Sequence, residues 1–540
     1  ENVLVGRLIT AGTGAGMSRL RVAASARDAA LRASYRKLQE SLIAPASAAE
    51  EHAAELAQGP EAAIGDDPLA PVEGNPRGRR AEAGFYQKKG EAEPSAAGGG
   101  PRGGWPAPPP TLPPRQGAHH GPDGNGSAMI GADRLLAAAR QFGTPLYVYD
   151  IDAMRDRFAQ LRAAFGQRFA VSYAVKANPN RALLTGLAGE VDTFDVSSFA
   201  EVERALAAGC PAERITFSGP AKREEELRRA VRLGLGELVC ESLRDARLAS
   251  RFAGELGCRQ NVLLRINPAT TPRHFGVNMS GKPSQFGIDE EDLLPALDEV
   301  MALEHLNLIG FHIYSGSNSL SAEAISENFA IFIDLFRRAA QHTGTAPRKL
   351  VFGAGFGVAY LPSESPLDIE ALAGLVNPQI DALRREPLFA DAVLALEMGR
   401  WLVGPCGWLL SSIIAEKTSR GTQFRMCDAG FNNHLAAYGM MGSVIRRNWR
   451  VANLSRPDGA PETYTIVGPL CTTIDTLATK IELPELREGD VIAIGNSGAY
   501  GLTSSPTRFI SHPEPREVLI EGGTLRDVTE SLLNHWRPAN

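Results

Sequence analysis

The sequence predicts an α/β protein in three parts: a (β/α)8 TIM barrel, an antiparallel β domain after it, and a largely disordered extension before it. Three observations carry that expectation. Between residues 129 and 400, eight short apolar runs alternate with helical stretches. The runs are nearly continuous in Val, Ile, Leu and Phe, as parallel strands covered on both faces require. Polar residues gather at or just beyond their C-terminal ends: Lys176, Asp195, Arg265, His312, Ser315, Gly355, Glu397 and Arg400. That is the end at which such barrels carry their sites. A doubly wound open sheet is the other architecture this alternation allows; the one-sided placement of the polar residues favours the barrel.

Taken in order, residues 1–74 open with ENVLVGRLITAGTGAGMSRLRV, which resembles the C-terminal end of the bacterial RNA polymerase β′ subunit. None of that subunit's catalytic aspartates is present, so the stretch is read as a fused tail. Residues 75–128, with SAAGGGPRGGWPAPPPTLPPRQGAHHGPDGNGS, are dominated by Gly, Pro, Ala and Arg and show neither helical nor strand period. Such a segment buries too little apolar surface to offset its ordering entropy, and a disordered linker is expected. Met129 and the amphipathic ADRLLAAARQFG open the barrel domain, 129–400. Its strands are expected at RFAVSYAVKAN, VDTFDVSS, RITFSGP, ELVCES, NVLLRINP, LNLIGFHIYSG, KLVFGAGFG and AVLALEMGR. Beyond Trp401, β-branched segments broken by Gly-Asp and Gly-Thr turns predict the β domain over 401–540, to which the earlier PLYVYD, at about 145–150, adds a strand.

Composition narrows the function classes. A 540-residue chain, 44% hydrophobic with a formal net charge of −6, has room for two or three cores, and its mild acidity gives no reason to expect nucleic acid or an anionic membrane as a partner. Six scattered cysteines without a C-x-x-C pair suit reduced thiols in a cytoplasmic protein, with neither disulfide frame nor zinc site. No apolar run is long enough to span a bilayer, and the first residues lack signal-peptide form.

The chemistry begins at Lys176. An ammonium at the mouth of a buried strand costs desolvation energy, and burial lowers its pKa from ~10.4, freeing a nucleophilic amine. After the seventh run, GAGFG brings Gly353, Gly355 and Gly357 together, a loop whose backbone N–H groups can approach a phosphate. Arg400 ends the next run and supplies a bidentate donor. A phosphate at this rim and a lysine at the first strand's end point to pyridoxal phosphate held as a Schiff base. Glu397 can then bond the pyridine nitrogen and keep the ring an electron sink, His312 can lie on a ring face, and Ser315 with Gly355 can hold the phosphate. Each residue has a bland alternative: a core histidine, an i, i+3 ion pair for Glu397 and Arg400, a carboxylate cap for Lys176. Their convergence on strand ends argues against those readings taken together.

Residues from about 144 to 508 resemble the fold-type III pyridoxal phosphate decarboxylases, the diaminopimelate/ornithine/arginine decarboxylase family. YAVKAN matches the lysine motif at Lys176, FDVSSFAEV carries Asp195 and Glu201, and GFHIYSGS carries His312 and Ser315, with Tyr314 replacing the usual small residue. GAGFG matches the phosphate loop; EMGR matches Glu-Pro-Gly-Arg with Met398 for proline, keeping Glu397, Gly399 and Arg400. GPLCTTIDTL holds Cys471 and SGAYG holds Tyr500. The resemblance implies decarboxylation of an amino acid through its Schiff base with the cofactor. It also implies a homodimer whose Cys471 segment enters the neighbouring site to protonate the carbanion. The distal readers of diaminopimelate are replaced here by DAGFNNHLAAYGMMGSVIRRNW and by Thr472-Thr473. That departure resembles a divergent branch acting on carrier-protein-tethered aminoacyl groups, and it leaves Tyr438, Asp475 and Arg446 as candidate substrate contacts. Three other readings stay open: a pyridoxal phosphate holder without turnover, a racemase of the same fold, and a polymerase-associated fusion.

Overall fold

The computed structural model describes residues 131–273, 275–439 and 447–530. The expectations for 1–74 and 75–128, and the candidate Arg446, lie outside them. Twenty strands follow one another: β1 Leu146–Asp150, β2 Ala170–Ala174, β3 Thr193–Val196, β4 Ile215–Phe217, β5 Glu237–Cys240, β6 Gln260–Asn267, β7 Val277–Asn278, β8 Ile288–Asp289, β9 Leu306–Ile313, β10 Gly316–Ser317, β11 Lys349–Gly353, β12 Val393–Met398, β13 Gly407–Ser419, β14 Thr422–Cys427, β15 Val451–Asn453, β16 Pro461–Val467, β17 Thr476–Pro484, β18 Val491–Ile494, β19 Arg516–Glu521 and β20 Thr524–Asp527.

Eight of them close a parallel circuit, β2-β3-β4-β5-β6-β9-β11-β12, which β12 completes by pairing with β2. All eight coincide with the apolar runs of the sequence, and the closed circuit removes the open-sheet alternative. Register then decides which side chains meet. Ala174 stands opposite Asp195, Arg265 opposite His312, Gly353 opposite Glu397, and Glu397 opposite Ser172. Inside the barrel, Val239, Leu263, Ile309, Val351 and Ala395 form a buried apolar layer. One strand step below it, Lys349 Nζ donates to Glu237 Oε2 at 2.6 Å, and Thr216 Oγ1 donates to the same oxygen at 2.7 Å. At Gly310 of β9 a Cβ would sit 1.7 Å from the Lys349 carbonyl oxygen, so β9 and β11 approach more closely there than any side chain allows.

The remaining long strands form the predicted β domain, in the order β17-β16-β14-β13-β1-β19-β20. β1 does join it, antiparallel to β13 and parallel to β19. The domain boundary needs one correction. Helix Ala132–Phe142, read with the barrel, buries Leu135, Ala138 and Ala139 against Leu146, Val148, Trp408 and Val518 of the β domain. Its apolar stripe matches the outer face of β1, the next element along the chain, rather than any barrel helix. Among the described residues no helix is long and apolar enough to cross a membrane.

Two stability predictions follow from these interiors. Lys349→Met leaves the Glu237 carboxylate buried without its cation and is expected to cost about 3–5 kcal/mol, while the Glu237→Leu/Lys349→Met pair recovers most of that loss; urea denaturation measures both. On β19, Tyr149 OH donates to buried Glu517 Oε1 at 2.9 Å, and burial pushes the Glu517 carboxyl up to about 7. A carboxyl whose pKa is higher folded than unfolded binds its proton more tightly in the native state, so its contribution is full at low pH and is lost as pH rises toward 8. Glu517→Gln is expected to flatten that slope between pH 5 and 8, by at most on the order of 3 kcal/mol, in thermal or urea unfolding at each pH.

Candidate active site

Lys176 sits in a short 3-10 turn, Val175–Ala177, directly after β2. Its Nζ lies 3.3 Å from Glu397 Oε1 and 3.4 Å from Asp195 Oδ2. Asp195 is the next-to-last residue of β3 and Glu397 the next-to-last of β12, the two strands that flank β2, so barrel register alone brings both carboxylates to the lysine. His312, on β9, closes the group: its Nε2 is 2.7 Å from Glu397 Oε2. All three partners are buried.

The electrostatics correct one expectation. Burial opposes the ammonium, but the Glu397 and Asp195 carboxylates outweigh it and hold the Lys176 pKa well above its ordinary value. In this state the residue is a paired cation, and the sequence argument from burial omitted the two charges that register supplies. For Glu397, burial works against the charged form, yet Lys176 and the His312 hydrogen bond keep its carboxyl well below the usual range. Asp195 is the yielding partner, pushed up to about 8 by burial and by the Glu397 charge. Burial lowers the His312 pKa, leaving a neutral imidazole that donates from Nε2 to Glu397. Its Nδ1 is buried with no hydrogen-bond partner.

A cavity of about 1010 Å³ opens over this group. Of the predicted residues it is lined by Lys176, Arg265, His312, Glu397, Arg400 and Tyr500. Arg265 is held in place by both oxygens of Glu241 at 2.9 Å. Arg400 follows β12; its Nη1 donates to Tyr360 OH at 2.8 Å, its guanidinium lies 4.6 Å from the Tyr500 ring, and its Nε is buried without a partner. The Tyr500 N–H donates to Ala177 O at 2.8 Å, tying that ring to the lysine turn. Gly355 and Gly399 line a small adjoining niche with Arg400 and Tyr314. Gly355 has φ +66°, and a Cβ there would meet Gly316 O and Phe275 at 2.9 Å.

Other candidates lie elsewhere. Ser315 is fully buried, and its hydroxyl donates to Asn328 Oδ1 at 2.8 Å, away from the cavity. Ser317 and Asn318 stand at the cavity wall in its place. Tyr438 is buried with its hydroxyl on Ala429 O at 2.6 Å. Asp475 accepts from the Phe431 and Leu470 N–H groups at 2.8 and 2.9 Å and fixes two loops of the β domain. Neither lines the cavity; both were drawn from motif proximity, which does not report side-chain direction. Glu201 accepts from Ser197 N at 2.7 Å and stiffens the turn after β3. Cys471 is exposed and lines no part of this chain's cavity. Unforeseen were Glu241, Tyr360 and Trp449. Glu241 just past β5 satisfies the strand-end rule that found the others, whereas the two aromatics sit in loops with no periodic signal.

The arrangement suits a flat, anionic, carbonyl-bearing cofactor. It offers an amine at a strand mouth, a carboxylate kept ionised, an imidazole with an unused buried nitrogen, and a guanidinium with an unused N–H beside a glycine niche. This is the ligand set of a barrel enzyme with a lysine-anchored pyridoxal phosphate. Comparison with known proteins agrees. The family described as pyridoxal-dependent decarboxylase, pyridoxal binding domain, matches residues 151–404. A decarboxylase of the L-glutamyl-BtrI acyl-carrier protein from Niallia circulans is 32% identical over 394 residues, 72% of this chain and 92% of that protein. Diaminopimelate decarboxylase of Methanothermobacter thermautotrophicus is 33% identical over 412 residues, 75% of this chain and 93% of the relative. The crystal structure of Helicobacter pylori diaminopimelate decarboxylase with L-lysine superposes with a TM-score of 0.65 at 28% identity, over 74% of this chain and 98% of that one. The chain belongs to the pyridoxal-dependent decarboxylases: it is an amino acid decarboxylase that uses pyridoxal phosphate.

Removing one carboxylate should be visible before any cofactor is added. Glu397→Gln is expected to lower the Lys176 pKa by roughly one unit or more. Acylation of Lys176 in cofactor-free protein, followed by peptide mass spectrometry across pH 7–11, would then rise at lower pH than in wild type.

Proposed function

We propose that the enzyme removes the α-carboxylate of an aminoacyl group whose far end is tethered to a carrier protein. The observation that carries this reading is the cavity's outer wall. Lys176, Glu397 and Arg265 at its inner end are held in ion pairs, while the wall beyond them runs through Ala436, Gly439, Leu361, Tyr360 and Trp449 to Glu364 and Arg447. Past Arg447 the space continues into a second groove of about 460 Å³, so an amide or thioester chain longer than a free amino acid is accommodated. Diaminopimelate is the second reading, supported by relatives such as that of Methanothermobacter thermautotrophicus.

Pyridoxal phosphate supplies a conjugated, protonatable ring that accepts the electron pair released when carbon dioxide leaves. The roles of this chain's residues follow from their positions. Lys176 would anchor the cofactor aldehyde through Nζ. Glu397, kept ionised by its neighbours, would keep the ring nitrogen protonated. Asp195 lies beside Lys176 as the second carboxylate. His312, a neutral imidazole, would border the ring. Arg400 with Gly355, Gly399 and Tyr500 would hold the phosphate; Ser315 would act there only if its hydroxyl left Asn328. Arg265, locked by Glu241, stands beside His312 in strand register. Cys471 of a second copy would supply the proton to the substrate, which would make the working unit a homodimer.

Three measurements test this. Carbon dioxide release should occur from a glutamyl group loaded on an acyl-carrier protein and be far slower from free diaminopimelate; the reverse ranking sinks the tethered reading. Mixing inactive Lys176→Ala and Cys471→Ala chains should restore about a quarter of wild-type activity if each site in a two-fold dimer draws on both chains, and none if sites are self-contained. Tyr360→Phe removes the hydroxyl on Arg400 and is expected to weaken pyridoxal phosphate binding about tenfold, read from absorbance titration of the cofactor-free enzyme.

A further inference from the structure

At the inner end of the cavity Lys176 is paired with Glu397 and Asp195 and Arg265 with Glu241, while Arg400, hydrogen-bonded to Tyr360, keeps its unpartnered Nε beside the glycine niche. The outer end differs. Arg447 lines the main cavity and also a second groove of about 460 Å³, formed with Leu361, Pro362, Ser363, Asn448 and Thr479. Leu361 and Arg447 belong to both, so the two spaces meet between them. Arg447 is exposed, and among the described residues no carboxylate pairs with it.

The groove is built rather than incidental. The Asn448 amide exchanges two hydrogen bonds with the backbone of Thr479 on β17, each 2.9 Å. Trp449 stacks on Tyr360 with ring centroids 4.3 Å apart. The Arg450 N–H donates to Tyr360 O, and its Nη2 donates to the carbonyls of Leu361 and Glu364, each at 3.3 Å. Residues 448–450 are thus fastened to both walls, and they fix the backbone from which the Arg447 guanidinium extends. A guanidinium matches the geometry of a phosphate diester better than a point charge does. Ser363 and Thr479 add neutral hydroxyls beside it.

We infer that the groove seats the outer part of a carrier protein's prosthetic arm, with Arg447 on its phosphodiester and the amide chain running between Leu361 and Trp449 into the cavity. This inference rests on the tethered-substrate reading and specifies how the tether is recognised. Losing one charge-assisted phosphate contact is worth roughly tenfold in affinity.

The test uses the full-length holoenzyme with 4′-phosphopantetheine and dephosphorylated pantetheine as calorimetric probes, and glutamyl-loaded carrier protein as substrate. Wild type should prefer the phosphorylated probe about tenfold, with a preference that fades as salt rises. Arg447→Glu should abolish that preference and raise KM for the loaded carrier by a similar factor, and Arg447→Lys should keep part of it. Equal affinity of wild type for the two probes, or an undiminished preference in Arg447→Glu, overturns the groove assignment; the tethered reading still stands if the loaded carrier is turned over. Turnover of free amino acids alone overturns the tethered reading itself. If Arg447→Glu instead changes the sedimentation of the protein while both probes bind wild type equally, the groove is a contact between copies of the chain and the assignment is wrong.

Discussion

The hydrogen-bonded seam between β2 and β12 is the constraint on which the site depends. It joins strands more than two hundred residues apart and closes the barrel. With the β2–β3 pairing it sets Lys176 between Glu397 and Asp195, each on a strand adjoining the lysine's own. Had the sheet remained open at that edge, Glu397 would stand on a free margin and the lysine would face solvent on one side. The apolar layer of Val239, Leu263, Ile309, Val351 and Ala395 fills the space beneath, so the charged groups rest on a packed floor. Buried charges are tolerated there because each has a partner at hydrogen-bond range, which is the condition under which burial is affordable.

That crowding gives the four acidic and basic groups distinct characters. One amine, two carboxylates and one imidazole share a small dry volume, and they do not titrate alike. Glu397 keeps its charge because it touches both Lys176 and His312; Asp195, pushed up by its own burial and by the Glu397 charge, gives way to its acidic neighbour. His312 stays neutral because its burial outweighs the pull of the Glu397 carboxylate. Division of roles among like residues therefore arises from contacts rather than from residue type, a pattern expected where catalysis is performed.

Much of this was legible in the sequence because barrel strands are apolar in nearly every position. Eight unbroken Val/Ile/Leu/Phe runs were read correctly as eight strands, and the polar residues at their ends located Lys176, Asp195, His312, Glu397 and Arg400 without reference to coordinates. What escaped has physical causes. The lysine's charge state depends on neighbours that only register supplies. Ser315 was assigned by motif, but its hydroxyl turns to Asn328, a helical residue with no signal linking the two. Tyr438 and Asp475 share a loop region with cavity residues, yet their side chains point inward to backbone groups. Tyr360 and Trp449 stack although far apart in sequence, and loop aromatics carry no period to announce such a meeting. Helix Ala132–Phe142 has an ordinary amphipathic stripe, which says that it packs but not against what.

The placement of β1 bears on how the polypeptide is made. This strand leaves the ribosome before any part of the barrel, but its two neighbours in the sheet, β13 and β19, are synthesised only after the barrel is complete. Long-range pairings of this kind form late, because loop closure must be met before contacts reward it. The nascent chain therefore carries β1 without its strand neighbours through the whole of barrel synthesis, with helix Ala132–Phe142, whose buried face packs on Leu146 and Val148, already made beside it.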